Sequence, residues 1–141
     1  MDTISKAKRS RIMARIGAKN TAPELVVRSL LHKEGYRFRL HRGDLPGTPD
    51  IVFPSRKAAI FVHGCFWHQH GVAGCPSSHV PRSNKKYWVE KLKANVQRDR
   101  RQLAELRRMG WNIAIVWECE IHRPQQILRK LNAFLRRHSA Q

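Results

Sequence analysis

The chain has 141 residues, room for one domain with a buried core and too little for two ordinary ones. Lys plus Arg is 28 against 10 Asp plus Glu, a net charge of +18, with 41% hydrophobic residues. That balance excludes a disordered chain and calls for a polyanionic partner, of which nucleic acid is the usual one. The longest apolar run, Ala58 to Val62, is too short to span a bilayer, and the first residues carry no signal-peptide core. The expectation is a cytoplasmic protein with no membrane partner. Three cysteines, an odd number, argue against a disulfide scaffold and leave metal ligation or thiols.

In chain order, Ser5 to Ile16 reads as a basic helix, capped by Ser5 and stopped by Gly17. Ile12, Met13 and Ile16 share a face ringed by Lys6, Lys8, Arg9, Arg11 and Arg15, which suits a solvated amphipathic helix or an arm lying against DNA. A second helix is expected from Ala22 to Glu34: Thr21-Ala22-Pro23-Glu24 has the form of a capping box, Val26, Val27, Leu30 and Leu31 make an apolar face, and Gly35 ends it. Tyr36 to Leu40 alternates with period two, which predicts a half-buried strand. After a loop, His41 to Pro49, Asp50 to Phe53 forms the next strand and Pro54 to Lys57 a turn. Ala58 to Val62, apolar throughout, predicts a central strand buried on both faces. His63 to Pro81 is dense in His, Cys and Gly and lacks periodicity. A long helix follows from Asn84 to Met109, then a strand at Trp111 to Trp117 and a helix at Pro124 to Arg137. The order α-α-β-β-β-α-β-α predicts a single α/β domain with no internal repeat.

Within this frame several residues carry chemistry. Trp88, Leu92, Val96, Leu103 and Leu106 fall on one stripe of the long helix, and Asp99 falls in its middle beside Asn95. A carboxylate on an inward face needs a partner, either a structural ion pair with Arg98, Arg100 or a strand, or a polar site at the edge of the core. Pro49-Asp50 opens a strand. Nucleases of the restriction-endonuclease-like class hold Mg²⁺ with an acid so placed, because a scissile phosphate needs a hard cation with oxygen ligands. The usual companion acid and Lys on the next strand are absent, and Val62-His63 stands in their place. Finally, Cys65, His70, Cys75 and Cys119 would make a closed tetrahedral Cys₃His zinc site, with His68 and His79 as alternatives to His70.

The run Phe61-Val62-His63-Gly64-Cys65-Phe66-Trp67-His68 resembles the very-short-patch repair (Vsr) DNA mismatch endonuclease family. So do Tyr87-Trp88 with Glu90-Lys91, Asn95-Val96 with Arg98-Asp99-Arg100-Arg101, and Gly110-Trp111 with Val116-Trp117-Glu118-Cys119. Thr21-Ala22-Pro23-Glu24 and Leu45-Pro46-Gly47-Thr48-Pro49-Asp50 extend the match, which covers Ser5 to Cys119. The resemblance implies a restriction-endonuclease-like domain: a mixed central sheet flanked by helices, with a structural zinc site. Residues 1–20 would be a DNA-contacting arm and 21–141 the nuclease domain. The implied activity is Mg²⁺-dependent nicking of one strand of double-stranded DNA beside T:G mispairs that arise when 5-methylcytosine deaminates.

Carried over position by position, Asp50 would hold Mg²⁺ with the backbone carbonyl of Val62. His68 would be the general base for the attacking water, and Asp99 would orient it and raise its basicity. Glu24 would assist through a water on the cation, and His63 would contact the phosphate region. Cys65, His70, Cys75 and Cys119 would hold structural Zn²⁺. Phe66, Trp67 and Trp88 would wedge into the base stack. The scheme is physically coherent, since imidazole suits deprotonation of water, a carboxylate on its other nitrogen selects the tautomer, and wedging is cheapest where stacking is already weak. The implied protein acts as a monomer, with mismatch-repair proteins as further partners.

Blander readings stand beside these: Glu24 as a helix cap, Phe66, Trp67 and Trp88 as core. The alternatives for the whole chain are a related nuclease with another target preference and a non-catalytic, zinc-stabilised DNA-binding module.

Overall fold

Helix α1 (Ala22–Lys33) starts where the capping residues predict it. Thr21 accepts a hydrogen bond from the Glu24 N–H at 3.4 Å, and Pro23 lies in the first turn. Val27 and Leu31 are buried, Val26 and Leu30 half-buried, so the spacing of the apolar residues selects the inward face. These coordinates come from a computed structural model that describes residues 21–66, 68 and 82–139. The basic helix expected at 5–16, together with Trp67, His70, Cys75 and His79, lies outside the described residues.

The strands are β1 (Arg39–Leu40), β2 (Ile51–Phe53), β3 (Ala58–His63) and β4 (Asn112–Trp117). They form one four-stranded sheet in the order β1-β2-β3-β4. β1, β2 and β3 pair antiparallel, and β3 and β4 pair parallel, from Ala58 with Asn112 to His63 with Trp117. The long helix α2 (Lys85–Arg108) is part of the connection that the parallel pair requires. Helix α3 (Pro124–Arg137) has its predicted bounds.

One expectation needs correction. The predicted half-buried strand at Tyr36 to Leu40 pairs only through Arg39 and Leu40, and both are exposed. Tyr36 and Phe38 still pack against the core, as their alternation implies. Alternation reports which way side chains face; a ladder also needs a partner. β2 stops at Phe53, and Pro54, which opens a 3-10 turn, has no N–H to extend the pairing. A second 3-10 turn, Glu118–His122, was not apparent from the sequence; Glu120 caps it by accepting from the Trp117 N–H at 3.0 Å.

Side chains alternate across the sheet. Ile51, Phe53, Ala58, Ile60, Ala114 and Val116 face α1 and α3, meeting Val27, Leu31, Ile127, Leu131, Phe134 and Leu135. Val52, Ala59 and Phe61 face the other way, toward Leu106 of α2, Trp111 and Leu45. β2 and β3 are buried on both faces, as the unbroken apolar run predicts. Gly47 sits in the loop before β2 with φ 78°, where a Cβ would come 3.1 Å from the Phe61 ring. No helix among the described residues is long and apolar enough to cross a membrane.

Candidate active site

The start of β2 and the ends of β3 and β4 share one edge of the domain, because β2 runs against β3 and β3 runs with β4. Ligands gather outside the carboxyl ends of parallel strands in open α/β sheets, and every ionisable group described below converges there.

Asp50 precedes β2 by one residue. Its Oδ2 accepts the Val62 N–H at 2.7 Å, in place of a further rung of the β2–β3 ladder. An extended residue sends its N–H and C=O to the same strand edge, so the Val62 carbonyl belongs to the Asp50 side as well. Burial pushes the Asp50 carboxyl up to about 6, with Glu24 adding to the rise; the Val62 N–H and the charges of His41 and His68 act against it.

Glu24 is 1% exposed. Its Oε1 accepts from Arg28 Nη2 at 2.8 Å and lies 2.5 Å from His41 Nε2. The carboxylate therefore does not turn back to the helix start as a simple capping box would have it, and the cap alone does not account for Glu24. Glu24, His41 and Asp50 each bring a potential ligand atom within 4.8 Å of the others.

His63, His68 and Asp99 make a second cluster of the same compactness. His68 Nδ1 lies 2.5 Å from Asp99 Oδ2. The turn that carries His68 is closed by its N–H, which donates to the Gly64 carbonyl at 3.1 Å. Asp99 reaches the site because the apolar stripe of α2 turns that position inward, next to buried Leu92, Asn95 and Leu106. Arg98 approaches the other Asp99 oxygen only at 3.7 Å, so the polar-site alternative describes Asp99 better than a pair with its helix neighbours. Burial opposes the Asp99 charge, but the His68 hydrogen bond and the charges of His68, His63 and Arg98 outweigh it and hold the carboxyl below its ordinary value. His63 is pushed down to about 3, by burial first and by His68 second, against the pull of Asp99. Its Nδ1 is buried, with no hydrogen-bond partner among the described residues.

The structure thus brings Glu24, Asp50 and Val62 together, and His63, His68 and Asp99 together, at the end of β3. Sequence reasoning missed Arg28 and His41. Arg28 was accessible as an i,i+4 partner of Glu24. Nothing in the sequence ties His41 to Glu24, since no local period spans their separation of 17 positions.

Phe66 and Trp88 meet edge to face, ring centroids 5.5 Å apart, and Tyr87 meets Trp88 at 5.1 Å. Phe66 and Trp88 are half-buried and belong to neither core cluster of the described residues. Trp67 is outside the described residues. Of the expected zinc ligands, Cys65 is buried and Cys119 half-buried, while His70 and Cys75 are not described. The β3–β4 register pairs His63 with Trp117, so each cysteine stands two residues beyond that rung. The Cys65 N–H also donates to Glu118 Oε1 at 3.4 Å. Two thiols delivered to one end of the sheet fit half of a tetrahedral Cys₃His set. One buried and one half-buried carboxylate and a backbone carbonyl, with an imidazole behind them, fit a hard divalent cation.

Comparison with known proteins agrees with this geometry. Residues 1–74 match the family model described as DNA mismatch endonuclease Vsr. A Xanthomonas oryzae protein named Type II nicking enzyme V.XorIIP is 55% identical over 120 residues, covering 85% of this chain and 86% of its own. The Escherichia coli protein named DNA mismatch endonuclease Vsr is 42% identical over 120 residues, 85% of this chain and 75% of that one. A Neisseria meningitidis protein named Type II nicking enzyme V.NmeAIP is 38% identical over 135 residues, 96% and 94% of the two chains. With relatives this similar along nearly its whole length, and with the motif residues gathered at one edge of the sheet, the chain belongs to the Vsr family of endonucleases.

Proposed function

We propose that this endonuclease nicks one strand of double-stranded DNA beside a T:G mispair in a Mg²⁺-dependent reaction. The observation that carries the reading is the His68–Asp99 pair, 2.5 Å apart, at the same strand ends as Asp50 and Glu24. Because Asp99 occupies Nδ1, Nε2 is the nitrogen left to take a proton from water. Asp99 selects that tautomer and stabilises the imidazolium that results. The water oxygen bonds to phosphorus as the bond to the leaving sugar oxygen breaks. Asp50 with the Val62 carbonyl would hold Mg²⁺, with Glu24 assisting through a water on the cation; the cation, when bound, offsets charge on the phosphate. His63 would contact the phosphate region.

Around this centre, Phe66, Trp67 and Trp88 form the wedge that opens the stack at a mispair. Residues 1–20 form the DNA-contacting arm, and 21–141 the nuclease domain. Zn²⁺ on Cys65, His70, Cys75 and Cys119 ties the loop after β3 to the turn after β4. The +18 charge provides phosphate affinity without sequence preference, and the enzyme works in the cytoplasm. The relatives' names support both halves of the reading, one a mismatch endonuclease and two nicking enzymes.

The test is a nicking assay with Mg²⁺ on duplexes that differ only in T:G or C:G at one position. Cleavage of one strand of the T:G duplex alone is the expected result. Equal cleavage of both would leave an endonuclease with another target, and no cleavage of either under any divalent cation would refute the catalytic assignment.

A further inference from the structure

His41 is the first residue after β1, and its backbone lies in the left-handed region at φ 48°, where a histidine is uncommon. Two contacts hold it there. Its N–H donates to the Asp50 carbonyl at 3.1 Å, and its Nε2 lies 2.5 Å from Glu24 Oε1, which also accepts from Arg28. His41 is thus tied by its main chain to one carboxylate residue of the site and by its side chain to the other. Its side chain is 15% exposed and that of Glu24 2%, so little solvent competes for the bond.

The bonding pattern has a direction. Arg28 and His41 both occupy Oε1 of Glu24, while Val62 occupies Oδ2 of Asp50. Glu24 Oε2 and Asp50 Oδ1 stand outside these bonds. A carboxylate anchored through one oxygen presents the other in a fixed place, and anchoring of this kind is what tunes a metal ligand. The His41 nitrogen is engaged on Glu24, so His41 acts through that carboxylate.

From this we infer that His41 is a positioning residue for the cation site: it holds Glu24 beside Asp50 so that one carboxylate meets a divalent cation directly and the other through a water on it. The inference rests on the proposed reading of Asp50 as the cation ligand and Glu24 as its water-mediated partner. Glutamine at this position keeps an N–H donor of similar reach, whereas alanine removes it.

The experiment measures Mn²⁺ binding to the DNA-free protein by loss of the free-ion electron paramagnetic resonance signal, for the wild type, His41→Ala, His41→Gln and Asp50→Asn. Nicking is followed against Mg²⁺ concentration in parallel, and thermal unfolding in metal-free buffer checks each fold. His41→Ala is expected to weaken Mn²⁺ binding about 10-fold and to raise the half-saturating Mg²⁺ concentration by a similar factor, and His41→Gln is expected to stay within about 3-fold of wild type. At saturating Mg²⁺ the His41→Ala rate should approach the wild-type rate, a split that a merely structural loss does not produce. If His41→Ala does not fold, His41→Gln decides alone: near-wild-type binding supports positioning through Glu24, and weak binding by a folded His41→Gln overturns it. Wild-type binding by His41→Ala also overturns it. Should Asp50→Asn bind Mn²⁺ as the wild type does, the cation reading of the site fails first and His41 with it; loss in Asp50→Asn with none in His41→Ala removes the His41 inference alone.

Discussion

His63 and His68 lie face to face, ring centroids 3.8 Å apart and planes 7° from parallel. Two imidazolium rings in that arrangement would repel, and burial makes His63 the ring that stays neutral, pushed down to about 3. Phe61 and Trp117 hold its edges at 5.6 and 5.2 Å. The stack is therefore asymmetric: His68 is bonded to a carboxylate, and the His63 ring against it is neutral.

Asp99→Asn tests that arrangement. The amide keeps the shape but does not select the tautomer or stabilise the imidazolium. Single-turnover nicking should fall by roughly 10²–10⁴-fold with DNA affinity unchanged. A rate close to wild type would remove Asp99 from the mechanism. The His68 bond also lowers the Asp99 carboxyl in the folded chain, so its contribution to stability is present above the ordinary carboxylate range and lost as pH falls through the folded value. In Asp99→Asn that acid-side dependence should disappear from thermal unfolding curves.

Asp50→Asn should abolish nicking and, in magnesium-free buffer, make the protein more stable at neutral pH. The folded Asp50 carboxyl is raised from 3.8 to about 6. Between those values the folded chain holds a proton that the unfolded chain has lost, so stability falls as pH rises through the window. Two pH units correspond to about 3 kcal/mol at most, or a Tm rise of about 5–10 °C in the variant at pH 7. His63 has the opposite sign: its folded value of about 3 lies below 6.5, so its contribution is lost as pH falls below 6.5. The two effects offset in the wild type. The variant's advantage should be small near pH 4, grow toward pH 6 and then level off; a constant difference across that range would contradict a buried Asp50 carboxyl.

Trp88 separates a wedge from a core residue. It packs on Phe66 and Tyr87, outside both core clusters. Trp88→Ala should reduce the T:G-to-C:G affinity ratio by roughly 10-fold, the worth of one lost base stack. Its Tm should fall less than that of Leu106→Ala, which empties a fully buried site and costs about 2–5 kcal/mol. Kept selectivity with a core-sized loss of stability would refute the wedge.

Metal analysis of the purified protein should find one zinc per chain. Cys119→Ser should lower both zinc content and Tm, because structural zinc contributes directly to folding. A wild type that is zinc-free and equally stable would dispose of the site, whereas Cys65→Ser and Cys119→Ser that each lose zinc would place both strand ends, after β3 and after β4, in it.

Much of this architecture follows from the sequence alone. The bounds of α1 and α3, the doubly buried β3 and the inward turn of Asp99 on α2 all depend on capping and periodicity, which act between residues close in the chain. The family motifs also marked Glu24, Asp50, His63, His68 and Asp99 before any coordinates. Only the tertiary structure decided how those groups are used. It shortened β1, because pairing depends on where β2 stops and not on the alternation at Tyr36 to Leu40. It drew Glu24 away from its cap to Arg28 and His41, and it made His63 a neutral ring by enclosing it. The reason is physical: hydrogen-bond partners and burial arise from segments far apart in sequence, such as His41 with Glu24 and His68 with Asp99, which meet only when the sheet edge closes.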